Sequence, residues 1–173
     1  MKIEDYIISV PNFPKPGILF RDVTGVLGNA DALQLTLDSF CGVLQNVEFD
    51  VVAGLEARGF LFGVPIADRL HKPFVPVRKK GKLPRETECV SFDLEYGTSC
   101  VEIHKDAIKP GERVVIIDDL LATGGTACAT IKLVEKLGGK VECCAFVIEL
   151  LGLKGRDVLS GYRIESLTQF PGC

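Results

Sequence analysis

Residues 114–126, with the sequence VVIIDDLLATGGT, combine features that few folds accommodate together. Four β-branched aliphatic residues run directly into an acidic pair, Asp118 and Asp119, and a glycine pair follows at Gly124 and Gly125. Beyond the glycines, apolar residues recur at helical spacing. This order predicts a buried strand, a tight turn and the start of a helix, which is the repeating unit of α/β sheets.

The same stretch indicates a site for a sugar phosphate. Ligands bind at the carboxyl ends of parallel strands, where both acids are predicted to lie. Adjacent carboxylates repel each other and need a partner, such as ribose hydroxyls or a magnesium ion. The loop that follows offers glycines, hydroxyls and free N–H groups at a helix N-terminus, which suit a phosphate monoester. Its residues are Ala122, Thr123, Gly124, Gly125 and Thr126.

Composition restricts the class of protein. The 173 residues fit one domain, spanning 1–173, and 47% of them are apolar. A net charge of −3 gives no basic surface for nucleic acid, and no apolar run suggests a membrane span or a secretion signal. Seven cysteines without framework spacing predict reduced thiols in a cytoplasmic protein, and the two histidines argue against a zinc site.

Strand and helix patterns alternate along the chain, which predicts an α/β fold with a mostly parallel sheet and helices on both faces. Residues 78–103 break this rhythm, and we expect them to form a flexible loop and a β-hairpin flap. Asp31 and Gln34 fit a capping box. The predicted helices cover residues 29–45, 60–70 and 126–137, and the predicted strands cover 50–54, 72–77, 113–117, 141–150 and 162–167.

Two further segments carry groups that suit a pyrophosphate. Residues 54–60, GLEARGF, place an arginine in a glycine-bounded turn after a strand. Residues 78–82, RKKGK, hold four cations, enough to neutralise a polyphosphate. A surface turn and a solvated loop are the alternatives for these segments. The residues assigned to pyrophosphate are Glu56, Ala57, Arg58, Arg78, Lys79 and Lys82.

Near the N-terminus, a proline-rich segment leads into Leu19, Phe20 and Arg21. The ring of Phe20 is the kind of face on which a purine stacks, so we assign these three residues to a base. The alternative is a loop that packs Leu19 and Phe20 onto the core.

Together these segments resemble the type I phosphoribosyltransferases, and in particular those members that act on adenine. The resemblance covers nearly the whole chain. It implies transfer of phosphoribose from phosphoribosyl pyrophosphate to adenine, giving AMP and pyrophosphate in purine salvage. The segments that carry it are residues 16–22 (PGILFRD), 54–59 (GLEARG), 78–84 (RKKGKLP), 94–97 (LEYG), 102–106 (EIHKD) and 114–126.

The resemblance also implies how the parts are used. Asp118 and Asp119 would contact the ribose hydroxyls, and residues 1–28 would form a small hood over the base. Mg²⁺ would be held mainly by the pyrophosphate of the substrate, so no protein metal ligand is assigned. The implied assembly is a homodimer, in which the basic residues of 78–82 would serve the chain's own site or its neighbour's.

Glu95 is the candidate acid–base residue. A carboxyl on a closing loop exchanges a proton with base nitrogens once water is excluded, so we group Glu95 with Asp118 and Asp119 as catalytic. The alternative is a turn residue of a solvated hairpin.

Three other functions stay open. An enzyme of this kind could act on xanthine, hypoxanthine or guanine, because a backbone carbonyl that reads the adenine amino group is invisible in sequence. A regulatory domain that senses the sugar pyrophosphate is a second alternative, although no basic DNA-binding helix is visible. A catalytically inactive relative is the third, and the intact carboxylates and glycine loop argue against it.

Overall fold

The structure, a computed structural model, describes residues 1–94 and 97–172, in which a seven-stranded sheet is flanked by helices and accompanied by a separate two-stranded sheet. The strands are β1 (Ile8–Pro11), β2 (Leu19–Asp22), β3 (Val51–Leu55), β4 (Phe74–Lys79), β5 (Thr87–Asp93), β6 (Thr98–His104), β7 (Arg113–Leu121), β8 (Lys140–Leu150) and β9 (Ile164–Phe170). The helices are α1 (Thr24–Leu27), α2 (Ala30–Leu44), α3 (Arg58–Arg69), α4 (Gly125–Lys136) and α5 (Gly155–Val158), with 3-10 turns at Ile3–Tyr6 and Leu151–Leu153.

The large sheet has the strand order β5-β6-β4-β3-β7-β8-β9. Strands β4, β3, β7, β8 and β9 are parallel, and the antiparallel β5–β6 hairpin extends the sheet beyond β4. The predicted mostly parallel sheet is therefore confirmed, with the hairpin at its edge. Because parallel strands share one carboxyl edge, the loops after β3, β4 and β7 meet there.

The central strand β7 is buried on both faces. Val114 and Ile116 pack into the core on the α4 side, whereas Val115 and Ile117 pack with α2 and α3 on the other side. Successive strand residues point to opposite faces, so a strand covered by helices on both sides must be apolar throughout. Burying each of these side chains stabilises the fold by about 1.5–3 kcal/mol.

Strand β7 continues beyond the predicted end at residue 117. It stays paired with β8 through Asp118 opposite Phe146 and Leu121 opposite Glu149. The acidic pair therefore lies within the paired part of β7 rather than after its end. The reason is the length of β8, whose apolar run continues to hydrogen-bond β7 past the acids.

The predicted capping box at the start of α2 is wrong. The side chain of Asn29 accepts the N–H of Ala32 at 2.9 Å, which places the cap two residues before Asp31. Gln34 donates instead to Asp38 on the next turn, at 3.0 Å. Asparagine is among the best N-cap residues, so it competes successfully for this position.

Two adjacent cysteines lie at the centre of β8. Cys143 and Cys144 face opposite sides of the sheet, and both are completely buried. Burial raises the pKa of the Cys143 thiol to about 11 and that of Cys144 still further. Both thiols are therefore neutral groups that fill small spaces in the core.

Replacing Phe40 with alanine should strongly destabilise the fold. Phe40 is fully buried in α2, with its ring 6.1 Å from that of Phe62. The cavity should lower the free energy of unfolding by about 3–5 kcal/mol, as measured by urea denaturation. Leu61→Ala, on the exposed face of α3, is the control and should change it by about 0.5 kcal/mol or less. Similar losses in the two variants would contradict the packing described here.

Candidate functional site

A groove of about 450 Å³ opens at the carboxyl edge of the sheet. It collects side chains from the ends of β3, β4 and β7 and from the β5–β6 hairpin, so segments distant in sequence meet in one place. The described residues that line it are Leu55, Glu56, Ala57, Arg58, Val77, Arg78, Lys79, Phe92, Leu94, Ser99, Val101, Asp118, Asp119, Leu120 and Thr126.

The acidic pair forms the floor of this groove, and its two members have different surroundings. Asp118 accepts a hydrogen bond from the backbone N–H of Asp119 at 2.8 Å. Burial and the neighbouring charge of Asp119 raise the pKa of Asp118 well above its ordinary value. The side chain of Asp119, 7% exposed, is paired with Arg58 at 2.5 Å from Nε to Oδ2. Arg58 therefore pairs directly with Asp119, whereas Asp118 forms no ion pair with the described residues.

Arg58 connects the acids to the N-terminal segment. It is the first residue of α3, directly after the turn that follows β3. Its guanidinium carbon lies 5.6 Å from the centre of the Phe20 ring, in addition to its contact with Asp119. Gly59 permits this approach of α3 to β7, because a Cβ there would lie 2.9 Å from Asp118 Oδ1. Arg58 therefore stands between the aromatic ring and the acidic pair.

Glu56 supports the basic residues rather than facing an anion. Its Oε1 accepts from Arg78 Nη2 at 2.8 Å and its Oε2 from the N–H of Lys79 at 2.9 Å. The hydrogen bond from Arg78 lowers the pKa of Glu56 despite the opposing effect of burial. Its neighbour Ala57, joined to it by a cis peptide bond, also lines the groove.

The basic turn at residues 78–82 has a second anchor that the sequence interpretation did not assign. Glu102 on β6 is 4% exposed and accepts the N–H of Gly81 at 3.0 Å. Arg78 also donates to the carbonyl of Lys82 at 3.2 Å. Arg78 and Lys79 line the groove of their own chain, whereas Lys82 is not among the described residues that line it.

The loop at residues 122–126 surrounds a second, smaller cavity of about 80 Å³ next to the groove. Gly124 has a φ of +84°, a left-handed conformation that favours glycine, and it caps the N-terminus of α4. The free N–H groups of the first helical turn thus point into a cavity suited to an anion. Asp118 lines both cavities, which places the acids and the loop within one site.

The residues assigned to a base lie on β2, beside the groove. The ring of Phe20 packs edge-to-face on Phe13 at 5.2 Å. Arg21 is turned away from the groove, because its guanidinium binds the hydroxyl of Ser9 and lies 4.3 Å from the centre of the Phe170 ring. Leu19 is half-buried on the same strand. Of these three residues, Phe20 is the one connected to the acidic pair, because its ring lies next to Arg58, which pairs with Asp119.

Glu95, the predicted acid–base residue, lies outside the described residues. Its described neighbour Leu94 lines the groove, as do Phe92 and Ser99 of the hairpin. These lining residues were missed because the hairpin was predicted without its contact with the start of α4. Alternation along β5 is the signal that could have found Phe92.

The described residues contain no cluster of three or more histidine, cysteine or acidic side chains that could hold a metal ion. None of their helices combines the length and apolar character that a bilayer crossing requires.

Comparison with known proteins shows what this architecture resembles. A family model for the phosphoribosyl transferase domain matches residues 41–163. The adenine phosphoribosyltransferase of Agathobacter rectalis is 54% identical over 170 residues, which cover 98% of each chain. The crystal structure of the Thermoanaerobacter pseudethanolicus adenine phosphoribosyltransferase superimposes with a TM-score of 0.95 at 54% identity, covering 97% of this chain and 98% of that one.

A structure with ligands is also similar. The adenine phosphoribosyltransferase of Saccharomyces cerevisiae, in complex with adenine and an imino-altritol bisphosphate, has a TM-score of 0.91 at 41% identity. The alignment covers 96% of each chain.

Replacing Asp118 with asparagine should stabilise the fold increasingly as the pH rises. The folded-state pKa of Asp118 is raised, so its burial costs little at low pH and more as the pH rises from about 4 through that pKa. The difference in Tm between Asp118→Asn and the unsubstituted chain should therefore grow between pH 4 and pH 8. The exposed Asp68→Asn is the control. A difference that is constant with pH would contradict the raised pKa.

Proposed function

Because the chain belongs to the phosphoribosyltransferase family, and within it to the adenine phosphoribosyltransferases, we propose that its groove is where phosphoribose passes from phosphoribosyl pyrophosphate to adenine. The enzyme is a transferase of purine salvage, and its products are AMP and pyrophosphate. The observation that carries the assignment to this groove is the junction of acids and phosphate loop through Asp118.

The ribose 5-phosphate part of the substrate lies across this junction. Asp118 and Asp119 accept hydrogen bonds from the ribose hydroxyls, which gives the acidic pair a second partner besides Arg58. The 5′-phosphate occupies the smaller cavity, where Ala122, Thr123, Gly124, Gly125 and Thr126 supply N–H groups and hydroxyls. Charge-assisted hydrogen bonds of this kind bind phosphate strongly and orient it.

The pyrophosphate leaves on the cationic side of the groove. Breaking the anomeric C–O bond builds positive charge on the ribose and negative charge on the leaving group. Arg58, Arg78, Lys79 and Lys82 stabilise the departing pyrophosphate, and Ala57 contacts it through its backbone. Glu56 contributes indirectly by orienting Arg78, since both of its oxygens are already bonded.

Arg58 changes partner when substrate binds. Without ligand it neutralises Asp119. When ribose hydroxyls take over that carboxylate, the guanidinium becomes available to the pyrophosphate. Its long side chain spans both positions, so the exchange needs no movement of the backbone of α3.

The adenine ring stacks on the Phe20 side of the groove, with Leu19 and Arg21 beside it. Because Ser9 and Phe170 hold the guanidinium of Arg21, this residue would act through its backbone. Backbone groups distinguish the amino group of adenine from the carbonyl oxygen of other purines by reversed hydrogen-bond polarity.

Mg²⁺ is the cofactor, held mainly by the pyrophosphate of the substrate. The carboxylates of Asp118 and Asp119 line the groove, so they offer oxygens to a cation that the substrate also holds. Magnesium typically binds through one or two carboxylates together with substrate phosphates. When bound, it neutralises charge on the leaving group.

We also propose that the protein is a cytoplasmic homodimer. The family resemblance implies the dimer. All the described cysteines are free thiols, the state that a reducing compartment maintains.

Incubation with phosphoribosyl pyrophosphate, Mg²⁺ and one purine base at a time tests the reaction. We expect pyrophosphate release with adenine to exceed release with guanine, hypoxanthine or xanthine by at least about a hundredfold. A chelator should abolish release, and added Mg²⁺ should restore it. Release with another base but not adenine would overturn the base assignment. Binding of the sugar pyrophosphate without release from any base would indicate a sensing domain.

Replacing Glu95 with glutamine should lower kcat about a hundredfold or more, because glutamine cannot exchange a proton with the base. The KM for phosphoribosyl pyrophosphate should change little. Glu86→Gln, at an exposed position just before β5, is the matched control. Turnover of Glu95→Gln within a few-fold of the unsubstituted enzyme would exclude the acid–base role.

A further inference from the structure

The loop at residues 122–126 rests directly on the start of α5, backbone against backbone. A Cβ on Gly124 would lie 2.8 Å from the carbonyl oxygen of Gly155, and a Cβ on Gly155 would lie 2.5 Å from that of Ala122. Real Cβ atoms essentially never approach closer than 3.0 Å. Glycine on both sides therefore allows α5 to support the loop, and a displacement of α5 would reach the loop without any flexible side chain between them.

Helix α5 cannot hold this position alone. It has four residues and follows Lys154, whose φ is +55°. A single helical turn is not stable in isolation, because nucleation fixes several backbone angles for one hydrogen bond. Contacts with the sheet must therefore fix its position.

A charged network provides these contacts. Arg156 on α5 donates from Nε and Nη2 to the two oxygens of Glu149, at 2.6 and 2.9 Å, and from Nη1 to the carbonyl of Ile164 at 3.1 Å. The side chain of Glu149 is 4% exposed and also accepts from Ser166 at 2.6 Å and Gln169 at 3.2 Å. The network thus joins α5 to both β8 and β9.

The carboxylate in this network is ionised. Burial by itself would raise the pKa of Glu149, but the hydrogen bonds from Arg156, Ser166 and Gln169 outweigh it and lower the pKa. A buried charge held by a bidentate arginine has little freedom to rearrange, because losing any partner exposes it to the cost of desolvation.

Glu149 also lies level with the loop in the sheet. On β8 it is paired with Leu121, the residue directly before Ala122. The same carboxylate therefore adjoins the loop from two directions, through β7 on one side and through Arg156 and Gly155 on the other. Neither Glu149 nor Arg156 lines the two cavities of the site as the described residues define them.

We propose that Glu149 and Arg156 are positioning residues that hold the loop at residues 122–126 in the geometry that binds the 5′-phosphate. This proposal rests on the proposed function, which assigns the 5′-phosphate to that loop. Hydrogen bonds from fixed N–H groups weaken steeply with angle and distance. The network therefore contributes to binding of the phosphoribosyl group and leaves the base and the pyrophosphate unaffected.

Two substitutions test the network, Glu149→Gln and Arg156→Lys. Both preserve size but remove the bidentate ion pair. The matched control is Glu165→Gln, which removes another arginine partner, since Arg163 Nε lies 2.8 Å from Glu165 near the start of β9. Steady-state kinetics give kcat and the KM for each substrate, and calorimetry gives the affinities for ribose 5-phosphate and for pyrophosphate.

In both network variants the KM for phosphoribosyl pyrophosphate and the Kd for ribose 5-phosphate should rise about tenfold or more. The KM for adenine, the affinity for pyrophosphate and kcat should change by about twofold or less. Glu165→Gln should change none of them. Unchanged ribose 5-phosphate affinity in a folded network variant would overturn the proposal, and so would an equal loss for every ligand.

Gly155→Ala tests the contact itself, and Gly42→Ala, where a Cβ meets nothing within 4 Å, is its control. The alanine at position 155 must push against Ala122, so ribose 5-phosphate should bind more weakly. If Glu149→Gln does not fold, ribose 5-phosphate binding by Gly155→Ala and by the milder Ser166→Ala tests the proposal instead. If the unsubstituted chain binds ribose 5-phosphate but makes no AMP, the proposed function is contradicted. A loss of ribose 5-phosphate binding in the variants would then still support this inference.

Discussion

Two adjacent carboxylates at the end of a buried strand repel each other, and most of the site is arranged around that repulsion. Asp119 is neutralised by Arg58, whereas Asp118 has a backbone N–H and burial that opposes its ionisation. Among the described residues, few cations and hydrogen-bond donors therefore contact the acids directly. In the proposed function, ribose hydroxyls and a cation would supply them, so the repulsion between the two carboxylates would favour binding of the substrate.

The cationic side of the groove is organised differently, because its carboxylates bond to the basic turn itself. Glu56 and Glu102 hold the turn at residues 78–82 from opposite ends. Glu56 uses both of its oxygens on Arg78 and the N–H of Lys79, whereas Glu102 accepts the N–H of Gly81 with one oxygen and the hydroxyl of Thr87 with the other. A turn held in this way has a fixed backbone, and in the proposed function its cations would be in place before pyrophosphate binds. Preorganisation of this kind lowers the entropy lost on binding and strengthens the stabilisation of a leaving group.

Much of the fold and of the candidate site could be predicted from sequence, because each strand of the sheet, the acidic pair and the glycine loop are encoded by short stretches of neighbouring residues. Contacts between distant segments could not. Arg58 and Asp119 lie 61 positions apart, and the buried Glu102 accepts the N–H of Gly81, 21 positions earlier in the turn after β4. The strands β1 and β2 were missed because each has only four residues, too few for a clear alternation. The cap at Asn29 was misplaced because two neighbouring signals competed.

The adjacent thiols in β8 have a consequence for how the unfolding of this molecule can be followed. A thiol reacts as its thiolate, and Cys143 and Cys144 are neither ionised nor accessible while the sheet is closed. Alkylation of this pair therefore proceeds at the rate at which β8 separates from its neighbours. The chain therefore carries an intrinsic reporter for the opening of its central sheet, placed one strand away from the acids.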